Sequence, residues 1–163
     1  MTENALDPAD FRNAMSTFAS GVTIVTTTQD GRGPAGFTAS AFNSLSLNPP
    51  LVIVCLDRGA DCFSAFEVAT HFGLSILAHG QDAIAKLFAT RGADKFGGTP
   101  TVAGVATGMP LVPGAIAQVE CRMHSRLDGG DHLILVGEVI HANSADVEPL
   151  LHYNRKFGHF AEG

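Results

Sequence analysis

Charge is what this sequence has least of. Only 16% of its 163 residues are Asp, Glu, Lys or Arg, against 45% hydrophobic. So small a charged share points to surface covered by another subunit. The ten Lys and Arg are scattered among sixteen Asp and Glu, for a net charge of −6. Counterion release needs clustered cations, so neither nucleic acid nor an anionic membrane is an expected partner. Isolated Arg and Lys can still hold a small phosphorylated ligand. Long apolar runs are also missing: no stretch of 18 exists, so no membrane-spanning helix is expected. The opening MTENALDPADFRNAM is polar and acidic, with no apolar core for a signal peptide. Three cysteines (Cys55, Cys62 and Cys121) form no CxxC pair. That pattern fits reduced thiols and a cytoplasmic location. The familiar catalytic signatures are absent too. There is no HExxH, no GxSxG and no GxGxxG after a strand. Seven histidines lack metal-ligand spacing; His152 and His159 are the best near pair, and no metal is expected. Cys62 has no base close in sequence. A cofactor that carries the chemistry itself would explain a chain with no visible nucleophile or general base.

What is present reads as one domain over 1–163, without repeats, low-complexity tracts or a linker. Asp7-Pro8 opens a helix in which Phe11, Met15 and Phe18 recur at helical spacing, and Gly21 closes it. VTIVTTT (22–28) is a β-branched strand, and Asp30-Gly31 marks a hairpin to GFTASAF (36–42). NSLSLNPP (43–50) breaks that strand. LVIVCL (51–56) is an apolar strand expected to be buried on both faces. Asp61 is placed to cap a short helix, CFSAFEVA (62–69). HFGLSIL (71–77) is a strand and GQDAIAKLFAT (80–90) an amphipathic helix. From 91 to 113 the chain is Gly-, Pro- and Thr-rich, a loop of functional length. AIAQVECRMHSRL (115–127) and HLILVGEVIHA (132–142) form a long hairpin around DGGD. The expected fold is mainly antiparallel β with flanking helices, a closed or half-closed barrel.

Three stretches carry candidate chemistry. In GFTASAFNSLSLNPP, Thr38, Ser40, Ser44 and Ser46 offer four hydroxyls, and small Ala39 and Ala41 let a flat ligand approach the backbone. Asp57 and Arg58 follow a buried strand and precede a helix start, where an anion binds well. Asp131 and His132 stand after Gly129-Gly130 at the mouth of an apolar strand. Read alone, each stretch also fits a plain alternative: a solvated strand, a capped surface loop, a local turn.

Together, FASGVTIVTT, GFTASAFNSLSLNPPLVIVCLDR, HFGLSIL, DKFGG, GMPLVPGA, VECR, GGDHLILVGEV and LLHYNRKFGHF resemble the short-chain flavin reductase family, in order and over nearly the whole chain. The resemblance implies an FMN-binding split barrel. It implies a homodimer that moves hydride from NADH or NADPH to FMN or FAD, often to supply a partner monooxygenase. Hydride transfer needs two rings held close and dry rather than an acid or base. By match, Thr38, Ala39, Ser40 and Ser44 line the flavin, and Cys55, Leu56, Asp57 and Arg58 continue toward its phosphate. Ser75 and His79 lie near it. Asp131 and His132, in the family's Gly-Asp-His motif, serve the nicotinamide side, with Asp131 fixing the imidazole tautomer or forming the turn. Tyr153, Arg155, Lys156 and Phe157 match a tail that closes over both ligands. Gly59-Ala60-Asp61 departs from the family, where Ser or Thr is common; phosphate binding would lean on Arg58, backbone N–H groups and Arg155 or Lys156. No basic partner for a 2′-phosphate is visible beyond the tail, which favours NADH. Two other readings stay open: a flavoprotein with a prosthetic flavin reducing another acceptor such as a corrinoid, and a non-enzymatic flavin-binding dimer.

Overall fold

The computed structural model describes residues 6–161, so the first five residues of the polar opening segment lie outside it. Helix α1 spans Pro8–Ser16. Asp7 caps it as its sequence position requires, its carboxylate accepting from Ala9 N–H at 2.8 Å. The helix ends at Thr17 rather than running to Gly21, and none of its residues is buried. Phe11, Met15 and Phe18 do share a helical spacing, but the face they form is turned to solvent.

After the short strand β1 (Ser20–Gly21), β2 (Thr23–Gln29) and β3 (Gly33–Ala39) form the expected hairpin, with Gly31 at φ 75° in its turn. The next strand, β4, runs over Phe42–Leu47. NSLSL is therefore an edge strand and not a break. Its Asn43 and Ser44 are exposed and Ser46 is half-buried, and the strand is paired on one side only, to β5 (Pro50–Asp57). β5 buries one face only: Val52, Val54 and Leu56 point inward, while Leu51, Ile53 and Cys55 are half-buried. Helix α2 (Phe63–Val68), β6 (His71–Ile76) and α3 (Asp82–Ala89) follow. Within the loop 91–113 lie two strands of two residues each, β7 (Val102–Ala103) and β8 (Pro110–Leu111). β9 (Ala117–Gly129) and β10 (His132–Ser144) make the long hairpin, with Gly130 at φ 75° in its turn. The tail forms a hairpin that the sequence pattern did not announce, β11 (Leu150–Tyr153) with β12 (Lys156–His159). Its turn places Asn154 and Arg155 in the left-handed region, at φ 47° and 63°.

Seven strands form one antiparallel sheet in the order β3-β2-β6-β9-β10-β5-β4. Its two edge strands are neighbours in sequence, separated only by Ser40 and Ala41. Three peptide steps reach about 11 Å, so the sheet must curl until its edges meet there. No ladder joins β3 to β4, and the curled sheet is not closed by hydrogen bonds. A main core of Val54, Leu56, Phe66, Phe72, Leu74 and Leu135 fills its concave side. A second cluster packs Ala85 and Phe88 of α3 on Ile24, Leu77 and Val112.

Candidate functional site

The curled edge is where the chemistry collects. A cleft of about 270 Å³ opens beside the β3–β4 junction. Thr38, Ala39, Ser40 and Ala41 form one wall, Cys55, Leu56 and Asp57 of β5 a second, and Phe88 and Ala89 of α3 a third. His132 enters from the start of β10, brought there by its register opposite Asp57. Small residues at 39–41 leave the backbone approachable. Thr38 spends its hydroxyl inside the fold, donating to the Ala85 carbonyl at 2.6 Å, and so ties β3 to α3. Cys55 is half-buried in the wall, and burial pushes its thiol pKa up, so it is a neutral thiol at neutral pH.

His132 is oriented by its neighbour. Its Nδ1 lies 2.7 Å from Asp131 Oδ1. That hydrogen bond, with the attraction of the imidazole, holds the Asp131 carboxyl below its usual value. Asp131 itself is fully outside the cleft lining and acts on the imidazole. Arg58 is not brought into the lining either. Its Nε donates to the Gly130 carbonyl at 3.1 Å, and its Nη2 pairs with Asp128 at 2.6 Å. Its backbone N–H donates to the Asp131 carbonyl at 3.0 Å. The guanidinium expected at an anion thus clamps the turn that presents His132.

Two other cations take the place at the cleft. Arg91 and Lys95 both line it. Arg91 Nη2 lies 3.6 Å from Asp57 Oδ2. It also lies only 3.0 Å from where a Cβ on Gly59 would stand, so the glycine gives the guanidinium its room. Lys95 Nζ donates to the Gly36 carbonyl at 3.2 Å, and among the described residues it forms no ion pair. Asp61 does not cap α2, whose N-cap is Cys62 without a side-chain bond. Its carboxylate instead accepts from Gly92 N–H at 2.5 Å, fastening the loop that carries both cations. Sequence reading missed them because they stand in an irregular loop; the available signal was TRGADKFGG, two cations bracketed by glycines directly after an amphipathic helix.

The remaining candidates lie elsewhere. Ser44 is exposed on β4. Ser75 is fully buried and accepts from Val112 N–H at 2.9 Å, a structural bond. His79 belongs to a second cluster with the tail, its ring 4.8 Å from that of His159 and its Nδ1 3.6 Å from Glu148. Arg155 donates to Asn13 of α1 at 2.8 Å, and Phe157 packs near Lys86 and His152. Tyr153 and Lys156 are exposed on the same hairpin. In a single chain, the tail lies against α1 and α3 and not over the cleft. Among the described residues no group of His, Cys, Asp or Glu is arranged to hold a metal ion.

A slot with small walls, an apolar floor, an oriented imidazole and two cations suits a flat heterocycle with an anionic tail. Comparisons with known proteins bear on what that ligand is. The family described as flavin reductase like domain matches residues 15–161. The reductase component of a 4-nitrophenol 4-monooxygenase/4-nitrocatechol 2-monooxygenase from Rhodococcus opacus is 44% identical, over 98% of this chain and 86% of its own. An FMN reductase (NADH) from Agrobacterium fabrum is 40% identical, over 93% and 85%. The solved NADH:FAD oxidoreductase of Streptomyces globisporus, in complex with NAD and FAD fragments, superposes with a TM-score of 0.89 at 38% identity, covering 97% of both chains.

Proposed function

The chain belongs to the flavin reductase-like family, and from that membership we propose that it is an NADH:flavin oxidoreductase supplying reduced FMN or FAD to a separate monooxygenase. The observation that carries the reading is the cleft at the β3–β4 junction: its small walls, apolar floor and two cations can hold rings and an anionic tail. A flavin held here would supply the acceptor for a hydride from NADH. The protein's own contribution is placement. Thr38 to Ala41, Cys55 and Leu56 bracket the flavin ring and keep water from it. Arg91 and Lys95 hold its phosphate, in the role the sequence assigned to Arg58. His132, fixed by Asp131 and by the Arg58 clamp, contacts the nicotinamide.

The curled sheet is read as half of the FMN-binding split barrel, and the chain as a homodimer. The exposed apolar residues Leu6, Phe11, Met15 and Phe18 support this, with the tail hairpin fastened to the same segment by the Arg155–Asn13 bond. In a dimer that surface is covered, and a tail held on α1 can face the flavin cleft of the other subunit. A cytoplasmic location is in keeping with three unpaired thiols. The experiment is steady-state NADH oxidation by purified protein with and without added flavin. Strong stimulation by free flavin supports the reading. A tightly retained flavin with no stimulation would shift it to a prosthetic flavin serving another acceptor.

A further inference from the structure

The cleft at the β3–β4 junction carries carboxylates as well as cations. Asp57 and Asp61 line it beside Arg91 and Lys95. What an entering anion meets depends on how these charges are already engaged. Asp61 is spent on the backbone of the loop after α3, where it accepts from the Gly92 N–H. Lys95 donates to the Gly36 carbonyl, and among the described residues it has no ion pair. Asp57 and Arg91 face each other, Oδ2 to Nη2, at 3.6 Å. Of the two cations at the cleft, Arg91 is the one already neutralised.

The two partners are held differently. Asp57 ends β5, and its Oδ1 accepts from the Gly59 N–H at 2.7 Å, which fixes the carboxylate in a local turn. Arg91 is fixed at its backbone, between the Thr90 N–H bond to the Leu87 carbonyl and the Gly92 bond to Asp61. Its side chain is 70% exposed. The guanidinium lies over Gly59, where a Cβ would stand 3.0 Å from Nη2. At 3.6 Å the contact with Asp57 is an ion pair without a hydrogen bond. The other pairs of Arg or Lys with a carboxylate among the described residues, Arg58–Asp128, Lys86–Asp82 and Arg122–Glu138, close to 2.6, 2.8 and 2.8 Å. The Arg91 pair is the loosest of the four. A phosphate offers the same guanidinium more charge and two hydrogen bonds at once. We propose that Asp57 is a specificity-determining residue that competes with the flavin phosphate for Arg91, so that a phosphorylated flavin binds by replacing the Asp57–Arg91 pair. This rests on the flavin reductase reading above, in which Arg91 meets that phosphate. Asp57 then restrains the preference for phosphorylated over unphosphorylated flavin, and removing its charge tightens binding.

Asp57→Asn keeps an oxygen for the Gly59 N–H and removes the charge that faces Arg91. Kd values for FMN and for riboflavin, which has the same ring and no phosphate, are measured by flavin fluorescence. The proteins are wild type, Asp57→Asn, Arg91→Met and the double variant. In Asp57→Asn, FMN is expected to bind about fivefold more tightly while riboflavin stays within about twofold. In the Arg91→Met background the same substitution changes the FMN Kd by less than about twofold, because the contested cation is gone. A disturbed fold would move both flavins together, so the split between them reports the phosphate alone. FMN affinity that is unchanged or weaker in Asp57→Asn, or riboflavin that tightens as much as FMN, would overturn the assignment. So would FMN tightening that persists in full without Arg91, since Asp57 would then act by direct repulsion. Wild-type protein that binds neither flavin would instead defeat the reductase reading itself.

Discussion

At the scale of single residues, the site works through side chains that aim other side chains. His132 is within reach of a ligand only because Asp131 fixes its Nδ1 and Arg58 clamps the 128–131 turn from three directions. Removing the imidazole should therefore weaken the nicotinamide contact and leave flavin binding alone. His132→Ala is expected to raise the KM for NADH about tenfold and change flavin Kd less than twofold, the equivalent of one lost hydrogen bond of about 1.5 kcal/mol. Unchanged kinetics would remove His132 from the site. The thiols give an independent probe. Cys62 and Cys121 are buried, and burial with the neighbouring Glu120 charge pushes Cys121 up to about 12. Cys55 is half-buried in the wall of the cleft at the β3–β4 junction, and Cys62, only 7% exposed, lines a neighbouring cleft. In the native protein a thiol reagent should label Cys55 slowly, Cys62 more slowly still and Cys121 not at all, and FMN or FAD should protect Cys55. Whether a residue lies at the cleft was partly legible from sequence. Thr38, Ala39, Ser40, Cys55, Leu56, Asp57 and His132 all line it. Arg58 was misplaced because sequence gives a side chain's neighbours along the chain and not its direction, and Asp128 competes for it from 70 residues away. Ser75 was placed near the flavin by the family resemblance alone; in the fold its hydroxyl accepts from the Val112 N–H.

At the scale of elements, strands with strong side-chain periodicity were readable and edges were not. β2, β3, β6, β9 and β10 announce themselves through β-branched or alternating residues and through Asp30-Gly31 and Gly129-Gly130. β4 does not, because an edge strand with one paired side carries the Asn and Ser of a loop. The tail hairpin was hidden for a related reason: its turn uses Asn154 and Arg155 where glycine would signal left-handed backbone. The loop after α3 is held at its far end by Glu120, a fully buried carboxylate on β9. Burial opposes its ionisation, but Thr107 Oγ1 at 2.6 Å and the N–H groups of Ala106 and Thr107 outweigh that and keep its pKa below the ordinary 4.5. A depressed carboxylate stabilises the fold above its unfolded value, and this contribution is lost as pH falls through the folded one. The melting temperature should thus drop as pH is lowered below about 4.5, more steeply than in Glu120→Gln, which starts lower at neutral pH and lacks that titration. Parallel pH profiles for the two proteins would contradict this.

At the scale of the whole molecule, the sheet's topology makes the site. A chain that passes from one edge of a seven-stranded sheet to the other across Ser40 and Ala41 must curl it, and the cleft is the seam left where the edges meet without pairing. This seam could not be read from any one motif, since it depends on the order of all seven strands. Low charge in the composition and exposed apolar side chains on α1 are two observations of one kind, and both support the dimer proposed above. A molecule that only positions two rings should show its activity in one turnover with nothing else added. The most direct measurement is anaerobic mixing of the purified protein with equal amounts of NADH and FMN or FAD, following the absorbance of oxidised flavin and of NADH together. The account predicts that both signals fall in step, one flavin reduced for each NADH consumed, at a rate that depends on the protein. Flavin that stays oxidised while bound to the protein in the presence of NADH would contradict it.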